Sequence, residues 1–222
     1  MNPKRILLIR HGESEGNVDK GVYGRKPDYA LLLTDKGKQQ ARDAGLRLRD
    51  LIGDETMRFY VSPLFRTRQT FGEIASAFPE TQYSSQEEPR LREQEWGHLR
   101  GLDECRTVDQ ERDAYGTFYF RIPDGESAAD VFDRVSDFFS TLFRDFEKPH
   151  FPQNAVMVTH GMTIRLFLMR WFHYTVEQFE LLANLENCAI VSLELQDNGR
   201  YRLMTEMRTR GVVHGWRLEA DR

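Results

Sequence analysis

The sequence predicts an α/β protein, a three-layer sandwich with a mostly parallel central sheet flanked by helices. Three observations lead there. Short continuous apolar runs recur along the chain, as in strands covered on both faces. Stretches of helical period follow them, and strands alternating with helices build a parallel sheet between helical layers. The chain has 222 residues, 40% hydrophobic and 30% charged, enough for one sizeable core. No repeat, low-complexity block or linker interrupts it, so residues 1–222 read as one domain.

The elements follow in order. "RILLI" at 5–9 is the first buried strand. Thr34 caps a helix over 34–52, with Ala41, Ala44, Leu48 and Leu51 at helical spacing. "RFYVSP" at 58–63 reads as a strand, and 64–78 as the helix after it. Ser127 and Asp130 form a capping-box start for the clearest helix, which runs to about Phe146. Its apolar face is Val131, Val135, Phe138, Leu142 and Phe146. "NAVMV" at 154–158 is another buried strand, followed by a helix over 162–172. "AIVSLEL", "DNG" and "RYRLMTE" read as a terminal hairpin. The segment 101–123 is polar and then strongly aromatic, and reads as an excursion over the sheet edge, a lid on a site.

Charge and composition narrow the function. A net charge of −4 disfavours a generic nucleic-acid or anionic-membrane surface. The apolar stretches are too short and too charged to span a bilayer. The N-terminus lacks the apolar core and cleavage site of a signal peptide. Cys105 and Cys188 are too isolated for a zinc site or disulfide framework, and are expected as reduced thiols in a cytoplasmic protein. No motif specifies an oligomeric state.

In open α/β sheets ligands bind beyond the carboxyl ends of the strands. Arg10, His11 and Gly12 follow the first strand, Ser62 and Arg66 the second, and His160 and Gly161 the third. If these strands are neighbours, two histidines and two arginines share one crevice with two helix N-termini, a setting for an anion. Arginine forks match the oxygens of a phosphoryl group in flight. One neutral imidazole can attack phosphorus and a second can donate a hydrogen bond. A carboxylic acid must then protonate the leaving oxygen, and "LREQEWG" offers Glu93 and Glu95. Each residue also has a plainer reading. Arg68 reads as a solvated helix residue, Glu13 and Glu15 as first-turn acids. His98, His150, His173 and His214 read as surface or core histidines.

The wording of these motifs resembles the histidine phosphatase superfamily, the phosphoglycerate mutase-like proteins. "RHGESEGN", "LTDKGKQQA", "YVSPLFRTRQT", "LREQEWGHLRG", "PDGESAADVFDRV" and "VMVTHGMTIR" stand in the family's order, and look most like its plant and yeast branch. The resemblance implies a phosphohistidine on His11, a phosphate pocket of Arg10, Arg66 and His160, and Glu93 as the acid. It implies substrate or phosphate contacts for Asn17, Tyr23, Gly24 and Gly161. It implies no cofactor and no metal, and a small-molecule phosphate ester as partner.

Two departures from the mutases stand out. Glu93 is followed early by "PDGES", with no paired-arginine cluster between, so the lid is short and hydrolysis is expected over phosphoryl retention. The stretch "GRKPDYALLLT" is longer than usual and brings Arg25 and Lys26 near the mouth, as solvated residues or as contacts to an anionic tail. Tyr115, Phe118, Tyr119, Phe120 and Arg121 are expected to line the entrance. A metal-independent phosphomonoesterase is therefore the leading expectation. The alternatives are a phosphoglycerate-type mutase and a non-catalytic phospholigand-binding protein.

Overall fold

Ile6 and Leu8 of the first strand face one layer of helices, and Leu7 and Ile9 face the other. All four are essentially inaccessible, as a run covered on both faces requires. The computed structural model describes residues 2–98 and 102–210. Their six strands are β1 (Arg5–Arg10), β2 (Met57–Val61), β3 (Tyr83–Glu87), β4 (Asn154–Thr159), β5 (Ile190–Leu195) and β6 (Tyr201–Leu203). They form one sheet in the order β3-β2-β4-β1-β5-β6. The first four strands are mutually parallel, and β5 and β6 run antiparallel at one edge.

The helices are α1 (Glu15–Val18), α2 (Asp35–Ile52), α3 (Phe65–Ala75), α4 (Leu102–Tyr115), α5 (Ala128–Phe146), α6 (Gly161–Phe172) and α7 (Val176–Leu181). Helices α2 and α3 pack on one face of the sheet, through Ala41, Ala44, Leu48, Ile52 and Ile74. Helices α5, α6 and α7 cover the other through Val131, Val135, Phe138, Leu142, Phe146 and their partners. The three-layer sandwich is thus the observed architecture. Thr34 caps α2 through Gly37 N at 3.0 Å. Ser127 and Asp130 close the expected capping box on α5. No described helix is long and apolar enough to cross a membrane.

The structure departs from the sequence reading in places. Leu51 is 38% exposed, and Ile52 takes its place against the sheet. Strand β3, "YSSQE", pairs only with β2 at the sheet edge, so its polar residues leave no apolar pattern to read. The excursion 101–123 contains the helix α4, whose buried residues are only Cys105 and Val108. The hairpin lies where expected, with Gly199 at φ +77° in its turn. The terminal segment 211–222, with His214, lies outside the described residues.

Candidate active site

Strand order decides the site. Because β4 lies between β1 and β2, Arg10 pairs with Thr159 and Val61 with Val158 in register. The residues just past these ends, His11, Ser62 and His160, are therefore side by side. The rings of His11 and His160 lie 5.1 Å apart at 61°. Both histidines are buried.

Each ring is oriented by its own neighbour. His11 Nδ1 lies 2.7 Å from Gly12 O. A carbonyl only accepts, so Nδ1 carries the proton and a neutral ring keeps its lone pair on Nε2. His160 Nε2 lies 2.8 Å from Ser62 Oγ, while its buried Nδ1 has no partner. Glu93 Oε2 stands 3.8 Å from that Nδ1. Gly12 follows His11 because a Cβ there would meet Gly37 O of α2 at 2.4 Å. A Cβ on Gly161 would likewise meet Asn184 Oδ1 at 1.9 Å.

Burial and, after it, the neighbouring cations disfavour the charged form of both rings. Burial, then Arg66 and Arg10, lowers His11 well below its usual pKa. Burial, then Arg66, does the same to His160. Burial also lowers Arg10, whose Nε is unpartnered and whose Nη1 donates to Leu185 O. Burial raises the Glu93 carboxyl, against the opposing pull of Arg66. Glu93 is 20% exposed, so its proton can exchange with solvent.

A second layer positions Glu93. Arg134 of α5 donates through Nη1 to Arg90 O at 2.6 Å and Arg92 O at 2.8 Å, and through Nη2 to Glu93 O at 3.0 Å. Glu126 pairs with Arg134 at 3.0 Å and with Arg92. "PDGES" and α5 thus hold the backbone that presents Glu93.

Arg10, His11, Asn17, Tyr23, Arg66 and Glu93 line one cavity of about 230 Å³. Asn17 Oδ1 accepts from Ser14 N and Asn187 Nδ2, leaving its NH2 to a ligand. Burial, with Asp28 nearby, pushes Tyr23 up to about 12, so its hydroxyl stays a donor. Gly24 lines the neighbouring cavity, as do Arg25 and Lys26. These two cations are already paired, Arg25 with Asp19 at 2.5 Å and Lys26 with Glu15 of α1 at 2.7 Å.

The expected entrance residues need correction. None of Tyr115, Phe118, Tyr119, Phe120 and Arg121 lines the cavity. Phe118 is buried against Phe132 and Phe179. Tyr115 and Tyr119 face solvent, Phe120 packs on a small cluster with Cys105 and Ile122, and Arg121 pairs with Asp130. Phe118 and Phe120 anchor the segment, and the polar helix α4 supplies the lining through Cys105, Asp109 and Arg112. Sequence reasoning also missed Asp28, whose carboxylate grips Arg66. His150 and His173 take left-handed turn positions, at φ +70° and +55°, and His98 is exposed.

His11, Glu93 and His160 offer one ligand atom each within 4.8 Å of one another, a spacing that a cation can use. Arg10 and Arg66 act on the same atoms and oppose added positive charge. The donor set therefore suits an anion better than a metal.

The profile of the histidine phosphatase superfamily (branch 1) matches residues 6–206. The chain belongs to this superfamily.

Relatives agree with the plant and yeast likeness. The phosphoglycerate mutase-like protein AT74H of Arabidopsis thaliana is 42% identical over 217 residues, covering 90% of this chain and 77% of its own. The broad-range acid phosphatase DET1 of Saccharomyces cerevisiae is 32% identical, covering 91% and 89%. Among solved structures, a mycobacterial glucosyl-3-phosphoglycerate phosphatase in complex with VO3 superposes with a TM-score of 0.73 at 22% identity, covering 92% and 99%. Bacillus stearothermophilus YhfR superposes at 0.69 with 20% identity, covering 95% and 98%. Both share the phosphoglycerate mutase-like fold of the superfamily.

Proposed function

We propose that this superfamily member is a metal-independent phosphomonoester hydrolase acting on a small phosphorylated substrate. The observation that carries the reading is the His11 ring. Its Nδ1–H is tied to Gly12 O, so Nε2 presents a lone pair beside two arginines. That is a nucleophile held neutral and aimed at an anion site.

The substrate phosphate sits between Arg10, Arg66 and His160, with Asn17 at its edge. Ser62 Oγ donates to His160 Nε2 in this assignment, which leaves the proton on Nδ1 for a phosphoryl oxygen. His11 Nε2 forms a bond to phosphorus as the ester P–O bond breaks. Glu93 gives its proton to the leaving oxygen. A water then attacks the phosphohistidine, Glu93 takes the water's proton, and His11 returns neutral with phosphate released. The buried free thiols of Cys105 and Cys188 fit a reducing cytoplasmic setting. The short lid favours hydrolysis over mutase chemistry, because a mutase must shield its phosphoenzyme from water.

The test is hydrolysis of an aryl phosphate by metal-stripped protein in EDTA, beside His11→Ala. Activity should survive EDTA and vanish in the variant, together with an alkali-stable, acid-labile phosphoryl label. Full activity in His11→Ala, or activity lost to EDTA and restored by a divalent ion, would overturn the reading.

A further inference from the structure

The chain enters β5 through a loop, residues 182–189, that lies against the end of β1. Strand β5 runs antiparallel to β1, with Ile190 opposite Ile9. The residues just before Ile190 therefore stand beside Arg10 and His11. They hold that strand end at several points. Cys188 N donates to Arg10 O at 3.1 Å, and Arg10 N donates to Ala189 O at 3.2 Å. Leu185 O accepts from Arg10 Nη1. Arg47 of α2 ties the loop down in turn, donating to Cys188 O at 2.7 Å.

Asn187 is the informative member of the loop. Its Nδ2 donates to His11 O at 3.0 Å and to Asn17 Oδ1 at 3.2 Å, partners 176 and 170 residues away in sequence. A backbone carbonyl only accepts, so His11 O fixes which end of the Asn187 amide is the NH2. An NH2 only donates, so Asn187 in turn selects the oxygen of Asn17. Ser14 N, at 3.0 Å, makes the same selection from its own side. Ser14 Oγ, at 3.1 Å, is a hydroxyl and can serve either end of the amide. Asn187 is therefore the second fixed donor on that oxygen. Asn17 lines the cavity with Arg10, His11 and Arg66, whereas Asn187 does not. A half-turn of the Asn17 amide would present an oxygen where an anion needs a donor.

We propose that Asn187 is a positioning residue of the site: anchored on His11 O, it turns the Asn17 amide so that the NH2, and not the oxygen, faces the substrate phosphate. The proposal rests on the reading above, which places that phosphate between Arg10, Arg66 and His160 with Asn17 at its edge. One side chain thereby holds the backbone of His11 and the Asn17 donor in a fixed relation. Placement of that kind is what rate depends on when two groups must meet one phosphoryl group.

The test is calorimetric titration of the full chain with inorganic phosphate, as wild type, Asn17→Ala, Asn187→Leu and the double variant. Leucine keeps the branched shape of asparagine and removes the N–H. Asn17→Ala should weaken phosphate binding by about tenfold, the loss of one bond to a charged group. Asn187→Leu should weaken it by about fivefold alone and not at all in the Asn17→Ala background. A residue that acts through another contributes nothing once the other is gone. Unchanged affinity in either single variant would overturn the positioning role, even if the melting temperature falls. So would a loss in Asn187→Leu that adds in full to that of Asn17→Ala. If Asn187→Leu does not fold, Asn187→Ala takes its place. Aryl phosphate turnover by the same proteins separates this proposal from the hydrolase. Coupled phosphate binding without turnover by wild type would sink the hydrolase and keep the role of Asn187. Turnover by wild type with additive losses would do the reverse.

Discussion

Asp28 grips Arg66 with both carboxylate oxygens, Oδ1 at 3.0 Å from Nη1 and Oδ2 at 3.2 Å from Nη2. This is the fork geometry by which arginine takes a phosphate. A carboxylate from the turn Asp28–Ala30 therefore occupies the donors that the proposed phosphate would use. Asp28→Asn keeps one acceptor for Arg66 and removes the competing charge. The expected result is roughly tenfold tighter inhibition by inorganic phosphate, the effect of about 1.4 kcal/mol. An unchanged or weaker inhibition constant would show that Asp28 orients Arg66 and does not compete.

Glu93 matters in proportion to how badly the leaving group needs a proton. Glu93→Gln should lower kcat by about 100-fold or more for an alkyl phosphate. A nitrophenyl phosphate, whose leaving group departs as an anion, should lose far less. Equal losses on both esters would remove Glu93 from the acid role. Burial raises this carboxyl, so the alkaline limb of the alkyl-ester profile should lie above the ordinary carboxylate value of 4.5.

Arg134 lines neither cavity but holds the carbonyls of Arg90, Arg92 and Glu93. Arg134→Met should lower kcat for alkyl phosphates much more than it changes KM, because it misplaces the acid and spares the phosphate pocket. Arg134→Lys restores the charge without the fork and should recover little. A variant that loses only thermal stability, with kcat intact, would assign Arg134 a purely structural role.

The two buried histidines predict an acid limit on stability. Both have native pKa values below the ordinary 6.5, so below that pH the unfolded chain binds protons that the native state refuses. Their contribution is full above pH 6.5 and is lost as pH falls through the depressed native values. Glu93, with a raised pKa, has the opposite sign: its contribution is present below 4.5 and lost as pH rises through its native value. Thermal melts between pH 4 and 8 should therefore show the melting temperature falling below pH 6.5. The slope should be shallower in His160→Gln. An identical slope in that variant would mean that the acid loss arises elsewhere.

Much of the site was legible because its residues sit at fixed places in local patterns. A strand buried on both faces must be a continuous apolar run, so its end can be read, and His11 and His160 follow such ends directly. Helix α5 was legible from its capping box and apolar stripe. Helix α4 was not, because it buries only Cys105 and Val108 and packs around Trp96. The aromatics there suggested an entrance, yet Phe118 and Phe120 went to packing while Tyr115 and Tyr119 face solvent.

The sequence by itself determined the architecture and the strand-end positions of His11 and His160, because burial periodicity and strand ends are local properties. Tertiary structure alone decided which side chains meet in the cavity. Placing β4 between β1 and β2 brought His11 and His160 together. The fold of the 20–30 loop set Asp28 on Arg66, across 38 residues of chain. The packing of α4, α6 and that loop also set Arg112, Arg165 and Lys20 around one cavity. Charge acts through space, with no preference for neighbours in sequence, so an electrostatic site built this way has no linear signature.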